Sequence, residues 1–248
     1  MKIIARMKEF IKKIIKRLVT SKSLVFVRKI IFLPIYYGIL CKKGVIVYYN
    51  DPKRSKIFDL IEKIKSENEM LLENNEAYQI FMAVKRTAKV RGDIAEVGTY
   101  KGSSAKLICE ARSKKTVHLF DTYDGLPDLC KFDDATRFYK GQFMATFNNV
   151  KTYLGKYSNI FFYKGIFPST GASIKSNKFS FVHLDVDIYS STLNCLKFFY
   201  PRMNKGGVII SHDYINSVGV KKAFDIFFKD KPEPIIEPSG SQCLIVKC

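Results

Sequence analysis

Apolar and polar residues alternate in blocks from residue 93 onward, and this pattern predicts strands separated by helices. Apolar runs of strand length fall at residues 93–97, 116–120, 159–163, 179–185 and 207–211. Apolar residues at helical spacing fill the intervals, near residues 103–112, 144–155, 190–200 and 217–229. Such alternation predicts an α/β fold, with a mostly parallel sheet covered by helices on both faces and ligands at the carboxyl ends of the strands.

Two shorter patterns flank this block. Apolar residues recur at helical spacing around residues 57–64 and 78–82, which predicts two helices ahead of the first strand. After the last helix, apolar runs at residues 234–236 and 243–246 predict a C-terminal antiparallel hairpin.

Residues 1–55 form a basic amphipathic N-terminal extension, distinct from a domain at residues 56–248. From Ile3 to Leu18 apolar residues recur at helical spacing, with lysines and arginines on the other face. Such a helix can lie in an anionic membrane interface, so residues 1–40 are candidates for peripheral membrane contact. Packing on the domain, or on a second subunit of a homo-oligomer, is the alternative. The uncharged run from Ile30 to Leu40 is shorter than the roughly 20 residues that span a bilayer, so no transmembrane helix is expected.

Charge and cysteine content narrow the class of protein. Of the net charge of +19, the first 56 residues carry +13 and the remaining 192 carry only +6. The second part shows no basic stripe interleaved with aromatic residues, which argues against a nucleic-acid partner. The six cysteines have no CxxC spacing, which is typical of reduced thiols. We therefore expect a cytoplasmic protein, at most peripheral at the inner face of a membrane.

A glycine-containing turn joins the first predicted strand to its helix. It reads Glu96-x-Gly98-x-x-x-Gly102, and the second strand leads into Asp121. Glycines in such a turn let the backbone approach a ligand, and the carboxylate can accept hydrogen bonds from ribose hydroxyls. The middle glycine that admits a dinucleotide pyrophosphate is missing. The pattern favours adenosine without phosphates, as in S-adenosylmethionine (SAM), over glycines that serve only backbone geometry.

Acidic residues follow the later strands. The fourth strand ends on Asp185-Val-Asp187, and the fifth leads into His212-Asp213. Asp185 and Asp213 should therefore face one crevice, where converging carboxylates need a cation or a proton. A divalent metal that binds vicinal substrate hydroxyls is the favoured explanation, and capping of the following helices is the alternative.

Several motifs, in order, resemble the macrocin O-methyltransferase (TylF-type) family. They are Ala95-Glu-Val-Gly-Thr-Tyr-Lys-Gly-Ser-Ser, Leu119-Phe-Asp-Thr-Tyr-Asp-Gly-Leu-Pro, Tyr163-Lys-Gly-Ile-Phe-Pro-Ser-Thr, Leu184-Asp-Val-Asp-Ile-Tyr-Ser-Ser-Thr and Gly206-Gly-Val-Ile-Ile-Ser-His-Asp-Tyr. The resemblance covers roughly residues 56–248. It implies a class I methyltransferase (Rossmann-like) fold, SAM as methyl donor, a divalent cation (Mg²⁺ or Mn²⁺), and a sugar or glycan hydroxyl as acceptor.

The resemblance also implies roles for individual residues. Those expected to line the methionine and ribose of SAM are Glu96, Gly98, Tyr100, Gly102 and Ser104. Asp121 would bind the ribose hydroxyls, and Gly165 and Phe167 would border the adenine. The implied metal ligands are Asp185, His212 and Asp213, and the implied catalytic residues are Asp185, Asp187 and His212.

The chain departs from the family at one position. Where the family usually reads Asp-Asp-Tyr, this sequence has His212-Asp213-Tyr214. Histidine removes a negative charge and an oxygen ligand, and Mn²⁺ or Fe²⁺ tolerates imidazole better than Mg²⁺ does. Three interpretations remain open: a changed metal preference, His212 as a base, or weakened metal binding.

The reaction these residues predict is direct methyl transfer, with Asp187 or His212 receiving the hydroxyl proton. Residues 128–143 have few regular signals and are predicted to fold over the acceptor as a lid. Two alternatives come from other classes. Asp185-Val-Asp187 is also a DxD motif, as in metal-dependent glycosyltransferases, and a non-catalytic SAM-binding protein would retain only the fold.

Overall fold

The alternating pattern of the sequence produces one six-stranded sheet. In the computed structural model, residues 52–238 and 240–248 are described. The strands are β1 (Asp93–Val97), β2 (Val117–Asp121), β3 (Ile160–Lys164), β4 (Phe179–Leu184), β5 (Met203–Ser211) and β6 (Cys243–Val246). Their order in the sheet is β3-β2-β1-β4-β5-β6, and every neighbouring pair is parallel except β5 and β6. The predicted mostly parallel α/β fold is confirmed.

Helices precede the sheet and connect its strands. In chain order they are α1 (Pro52–Glu67), α2 (Asn74–Arg86), α3 (Ser103–Ala111), α4 (Phe147–Leu154), α5 (Tyr189–Phe199) and α6 (Val218–Phe228). The prediction of a basic amphipathic helix near the N-terminus lies outside the described residues. Within residues 52–238 and 240–248, no helix combines the length and the apolar character needed to cross a membrane.

Two boundaries differ in detail from the prediction. Strand β5 begins at Met203, earlier than residue 207, because Met203 pairs with Phe179 of β4. After a register shift the pairing with β4 resumes at Val208, and Gly206 and Gly207 in between form backbone hydrogen bonds with Lys247. The C-terminal hairpin is present in reduced form. Strand β6 pairs with β5, and residue Ile236 joins Leu244 of β6 through a single antiparallel bridge.

The core lies on both faces of the central strands. All six residues of β4 are buried, as expected for a parallel strand covered by helices on each side. On one face an aromatic cluster packs beneath the carboxyl ends of the strands, and Phe167 stacks on Phe199 with 5.1 Å between ring centroids. Full burial of such a side chain stabilises the fold by about 1.5–3 kcal/mol.

The strand register aligns the carboxyl ends that matter for function. Val97 of β1 is paired with Phe120 of β2 and with Leu184 of β4, and Leu184 is paired with Ser211 of β5. The four residues that follow these positions therefore emerge together at one edge of the sheet. They are Gly98, Asp121, Asp185 and His212.

Candidate active site

A cavity of about 550 Å³ opens at this edge of the sheet. It is lined by residues from the ends of β1, β2, β4 and β5 and from the loop after β3. Most of the residues predicted from the sequence take part: Gly98, Tyr100, Ser104, Asp121, Gly165, Phe167, Asp185, Asp187, His212 and Asp213. The structure thus brings most of the predicted cofactor residues and the predicted acidic residues into one cavity.

Gly98 shapes the floor of this cavity. Its φ angle is +89°, a left-handed conformation that side chains other than glycine rarely adopt. A Cβ atom added there would lie 1.7 Å from the carbonyl oxygen of Asp185. Glycine is therefore required for the turn after β1 to pass against the end of β4.

Asp121 is held in place by the turns that surround it. One carboxylate oxygen accepts a hydrogen bond of 2.7 Å from the backbone N–H of Tyr100, and the other accepts one of 2.6 Å from the backbone N–H of Tyr123. Burial raises the pKa of Asp121 to about 6, against the lowering effect of these hydrogen bonds. Each oxygen keeps a further lone pair, so the carboxylate can still accept from ligand hydroxyls.

Two residues predicted to touch the cofactor do not line the cavity. The side chain of Glu96 is fully buried, and its Oε1 lies 2.9 Å from Nδ1 of His183 on the neighbouring strand. Gly102 is the N-cap residue of α3, with a φ angle of +88°, and a Cβ there would meet the side chain of Val150 at 3.1 Å. Their roles in cofactor binding stay predictions.

The second half of the site is a cluster around the ring of His212. Its Nδ1 atom lies 3.1 Å from Oδ1 of Asp185 and 2.9 Å from Oδ2 of Asp213. Its Nε2 atom lies 3.3 Å from Oε2 of Glu76. Both ring nitrogens therefore face carboxylate oxygens, which is the surrounding that an imidazolium ion requires.

These contacts shift the ionisation of the group as a whole. Burial lowers the pKa of His212, but the negative charge of Asp185 and hydrogen bonds to the three acids outweigh it and raise the pKa above its ordinary value. Burial raises the pKa of Asp185, yet the charge and hydrogen bond of His212 bring it below the usual range. The cluster thus favours a cationic ring among ionised acids.

Glu76 is a site residue that the sequence-based reasoning missed. It lies near the start of α2, and Glu73 and Glu76 form a reciprocal capping box there. Its Oε1 accepts 2.7 Å hydrogen bonds from the backbone N–H and the hydroxyl of Ser241. The Glu-x-x-Glu spacing is a helix-start signal visible in the sequence, but nothing in it points to the histidine that follows β5.

Asp187 lies beside the cluster and lines the same cavity. Its φ angle is +59° and that of Asp213 is +58°, a conformation that costs energy in residues other than glycine. Burial raises the pKa of Asp187 well above its ordinary value, and the charges of Asp185 and Asp213 add to the effect. It is therefore a stronger proton acceptor than an ordinary aspartate.

Residues 128–143 contain neither helix nor strand, as the sequence predicted. Arg137, Phe138, Gln142 and Phe143 from this loop line the cavity. Phe138 is buried in a small apolar cluster with Leu126 and Ile188. The loop therefore forms one wall of the cavity, on the side of the acidic cluster.

The His212 cluster fits a divalent cation. Asp185, His212 and Asp213 each offer one ligand atom, and these atoms lie within 4.8 Å of one another. Two carboxylates and an imidazole suit Mn²⁺ or Fe²⁺ better than Mg²⁺. Glu76 supports the fit, because it would still accept from Nε2 after a cation displaced the Nδ1 proton, and this fixes the neutral tautomer that presents Nδ1 to a metal.

Comparison with known proteins extends these observations. The sequence model of the macrocin-O-methyltransferase (TylF) family matches residues 75–238. A curated relative is 8-demethyl-8-(2,3-dimethoxy-alpha-L-rhamnosyl)-tetracenomycin-C 4'-O-methyltransferase of Streptomyces olivaceus, 26% identical over 140 residues. That match covers 50% of this chain and 54% of the relative, so the chain spans about half the length of the curated relative it matches.

Solved structures of O-methyltransferases share the fold. The O-methyltransferase NovP superposes with a TM-score of 0.65 at 19% identity, over 78% of this chain and 98% of its own. CalS11, a TDP-rhamnose 3'-O-methyltransferase, superposes with a TM-score of 0.57 at 16% identity, over 80% of this chain and 94% of its own. These likenesses show the fold, and the family match covers well over half of the sequence. The chain therefore belongs to the macrocin-O-methyltransferase (TylF) family.

Proposed function

We propose that this protein transfers the methyl group of SAM to a hydroxyl group of a sugar or glycan-type acceptor. The observation that carries the proposal is the single cavity that joins Asp121 at one end to Asp185, Asp187 and the His212 cluster at the other. The family and its relatives, which act as O-methyltransferases, support the same reaction.

The Asp121 end of the cavity suits the adenosine of SAM. Two backbone N–H groups fix the carboxylate of Asp121, which can accept hydrogen bonds from both ribose hydroxyls. The turn at Gly98 brings backbone close to the ligand without side-chain bulk. The acidic residues along the cavity also favour the positive charge of the sulfonium group.

The acceptor hydroxyl would then lie between the sulfonium and the acidic cluster. Its oxygen forms a bond to the methyl carbon as the carbon–sulfur bond breaks, and the sulfur keeps the electron pair of that bond. The protein's main task is alignment of oxygen, carbon and sulfur, because SAM is already an activated donor. The products are S-adenosylhomocysteine and a methyl ether.

Asp187 is the residue we assign to receive the hydroxyl proton. Its raised pKa strengthens it as a base, whereas both ring nitrogens of His212 are already directed at carboxylates. Asp185, His212 and Asp213 would hold a divalent cation, with Mn²⁺ preferred over Mg²⁺. When bound, such a cation supplies Lewis-acid stabilisation of the developing alkoxide.

Labelled methyl transfer tests the proposal. The purified protein is incubated with SAM that carries a ¹⁴C-methyl group and with TDP-rhamnose as the first acceptor, with EDTA or with Mn²⁺. Label in a methylated sugar, equimolar with S-adenosylhomocysteine and lost in Asp187→Asn, would support the account. SAM binding with no transfer to TDP-rhamnose or to rhamnosylated aglycones would contradict the sugar-acceptor assignment.

The same purified protein and labelled SAM also distinguish the two alternative functions, a glycosyltransferase and a non-catalytic SAM-binding protein. A DxD glycosyltransferase would bind a nucleotide sugar and release its nucleotide, with no dependence on SAM. A non-catalytic SAM-binding protein would bind SAM and leave the label unmoved with every acceptor. The glycine turn and Asp121 have no task in the first alternative, and the intact acidic cluster has none in the second.

A further inference from the structure

The carboxylate of Asp133 joins the loop at residues 128–143 to the body of the protein. Its Oδ1 accepts a 2.7 Å hydrogen bond from the backbone N–H of Tyr189, the first residue of α5. Its Oδ2 accepts a 2.8 Å hydrogen bond from the backbone N–H of Cys130. The residue before α5 is Ile188, which has no side-chain oxygen with which to cap the helix. Asp133 therefore acts as the N-terminal cap of α5 from a distant position in the chain.

A glycine at the start of α6 leaves space for the carboxylate of Asp133. A Cβ atom added to Gly219, the second residue of α6, would lie 2.2 Å from Oδ1 of Asp133 and 2.9 Å from the backbone nitrogen of Tyr189. Only glycine lets the N-terminal turns of α5 and α6 approach the carboxylate so closely. A loop residue is thus enclosed by two helices that follow β4 and β5.

Residues on either side of Asp133 make further contacts between the loop and the body of the protein, and one of these contacts reaches the cavity. The ring of Phe132 packs edge-on against Tyr189 at 4.7 Å, and Nζ of Lys222 lies 3.8 Å from the centroid of the Phe132 ring. Four residues beyond Asp133, the guanidinium of Arg137 donates to the carbonyl oxygen of Asn216 and lies 3.5 Å from Oδ1 of Asp213. The position of Arg137 therefore depends on where the loop is held.

We propose that Asp133 is a positioning residue for the acceptor side of the cavity, an inference that rests on the proposed function. It fixes the loop to the N-terminus of α5, beside Gly219 of α6, and so holds Arg137 against Asp213, a neighbour of the His212 ring. Asp133 does not line the cavity. It acts on the site through Arg137.

Asp133→Asn tests this role, because an amide cannot accept from both backbone N–H groups in the same orientation. The matched control is Asp134→Asn. Asp134 is exposed, and its carboxylate interacts only within the local turn, with the backbone N–H and hydroxyl of Thr136 and with Arg137. Trypsin reports on the loop, which offers cleavage sites after Lys131, Arg137 and Lys140. We expect Asp133→Asn to accelerate cleavage there on the order of tenfold, with Asp134→Asn within twofold of the wild type.

Histidine resonances report on positioning rather than on stability alone. The chain has three histidines, and two of them, His118 and His183, are buried within strands. When Arg137 moves away from Asp213, the ring signals of His212 should shift in ¹⁵N-histidine spectra recorded at fixed pH. The signals of His118 and His183 should stay unchanged. Gly219→Ala displaces the same carboxylate without altering Asp133, so it should reproduce both effects. The double variant should show little more than either single change.

The outcomes are distinguishable. The proposal is overturned if Asp133→Asn and Asp134→Asn are cleaved alike, or if cleavage rises while the His212 signals stay in place. SAM affinity, measured by calorimetry on the same samples, should change less than twofold among these variants. A wild-type protein that binds no SAM would overturn the proposed function, and the cleavage and resonance comparisons would still decide the role of Asp133.

Discussion

Nε2 of His212 lies 3.3 Å from a carboxylate oxygen of Glu76, a residue 136 positions earlier in the chain. The other oxygen of Glu76 accepts hydrogen bonds from Ser241. One buried carboxylate thus joins the start of α2, the end of β5 and the C-terminal segment. Burial opposes ionisation of Glu76, but hydrogen bonds from His212 and Ser241 outweigh it and lower its pKa to about 2.

Glu76→Gln should reduce the free energy of unfolding by roughly 2–3 kcal/mol near pH 6. The pKa of Glu76 is lowered from 4.5, so its contribution is complete above that pH and is lost as pH falls toward 2. The pKa of His212 is raised from 6.5, so its contribution is complete below 6.5 and declines as pH rises beyond it. Urea denaturation between pH 3 and pH 8 measures the free energy of unfolding over both pH ranges, the acidic one governed by Glu76 and the higher one governed by His212.

The control for this series is Asp124→Asn, which alters an exposed acid. The difference in stability between the wild type and Glu76→Gln should shrink below pH 4.5, and at pH 6 it should exceed the effect of Asp124→Asn. A difference that stays constant from pH 3 to pH 6 would show that the ionised pair does not stabilise the fold.

Gly98→Ala should be far more destabilising than Gly141→Ala. Both glycines have left-handed φ angles, +89° and +84°, but a Cβ on Gly141 would meet no atom within 4 Å. Gly141→Ala should cost about 1–2 kcal/mol of conformational strain. Gly98→Ala adds a clash with the carbonyl of Asp185, and we expect a loss of more than 3 kcal/mol or of soluble protein. Equal losses of stability in the two variants would contradict the close approach of the turn at Gly98 to the carbonyl of Asp185.

His212→Asp should shift metal preference toward Mg²⁺. The change replaces a nitrogen ligand with an oxygen ligand and restores the residue that the family usually carries there. Calorimetric titration with Mn²⁺ and Mg²⁺ should show the ratio of their affinities moving toward Mg²⁺ by at least about tenfold. Asp185→Asn, which removes a proposed ligand, should weaken both metals. An unchanged ratio in His212→Asp would remove His212 from the metal site.

Asp187→Asn should lower kcat by about a hundredfold or more, the usual contribution of a general base. Its affinity for SAM should stay within a few fold of the wild type, because the residue belongs to the acceptor end of the cavity. Single-turnover methyl transfer with a working acceptor, beside SAM calorimetry, separates the two effects. Activity retained at the wild-type level would assign the proton to another group.

The sequence predicted the sheet because parallel strands buried on both faces leave strong apolar runs. Residues 93–97 match β1 without change. The start of β5 was placed too late, because residues 204–206 are polar or glycine and lie outside the apolar run, whereas the pairing of Met203 with Phe179 begins the strand earlier. The start of β5 therefore depends on pairing with a neighbouring strand, which the local sequence does not encode.

The convergence of Asp185, His212 and Asp213 could be predicted because each follows the carboxyl end of a neighbouring parallel strand. The contributions of Glu76 and Asp133 could not. Glu76 reaches His212 from a helix start, and Asp133 reaches the start of α5 from a loop. Each contact is made by a single side chain, and no periodicity in the sequence encodes it. The pairing of Glu96 with His183 was hidden for a similar reason, because it depends on the register of β1 against β4.

Calorimetric titration of SAM into the wild type and Asp121→Asn is the most direct test of the central claim, that this cavity binds the methyl donor. We expect binding by the wild type with a Kd of about micromolar order and a loss of about 10- to 100-fold in the variant, the usual effect of removing a charged hydrogen-bond partner. A folded wild-type protein that binds no SAM, or equal affinity in Asp121→Asn, would contradict the account.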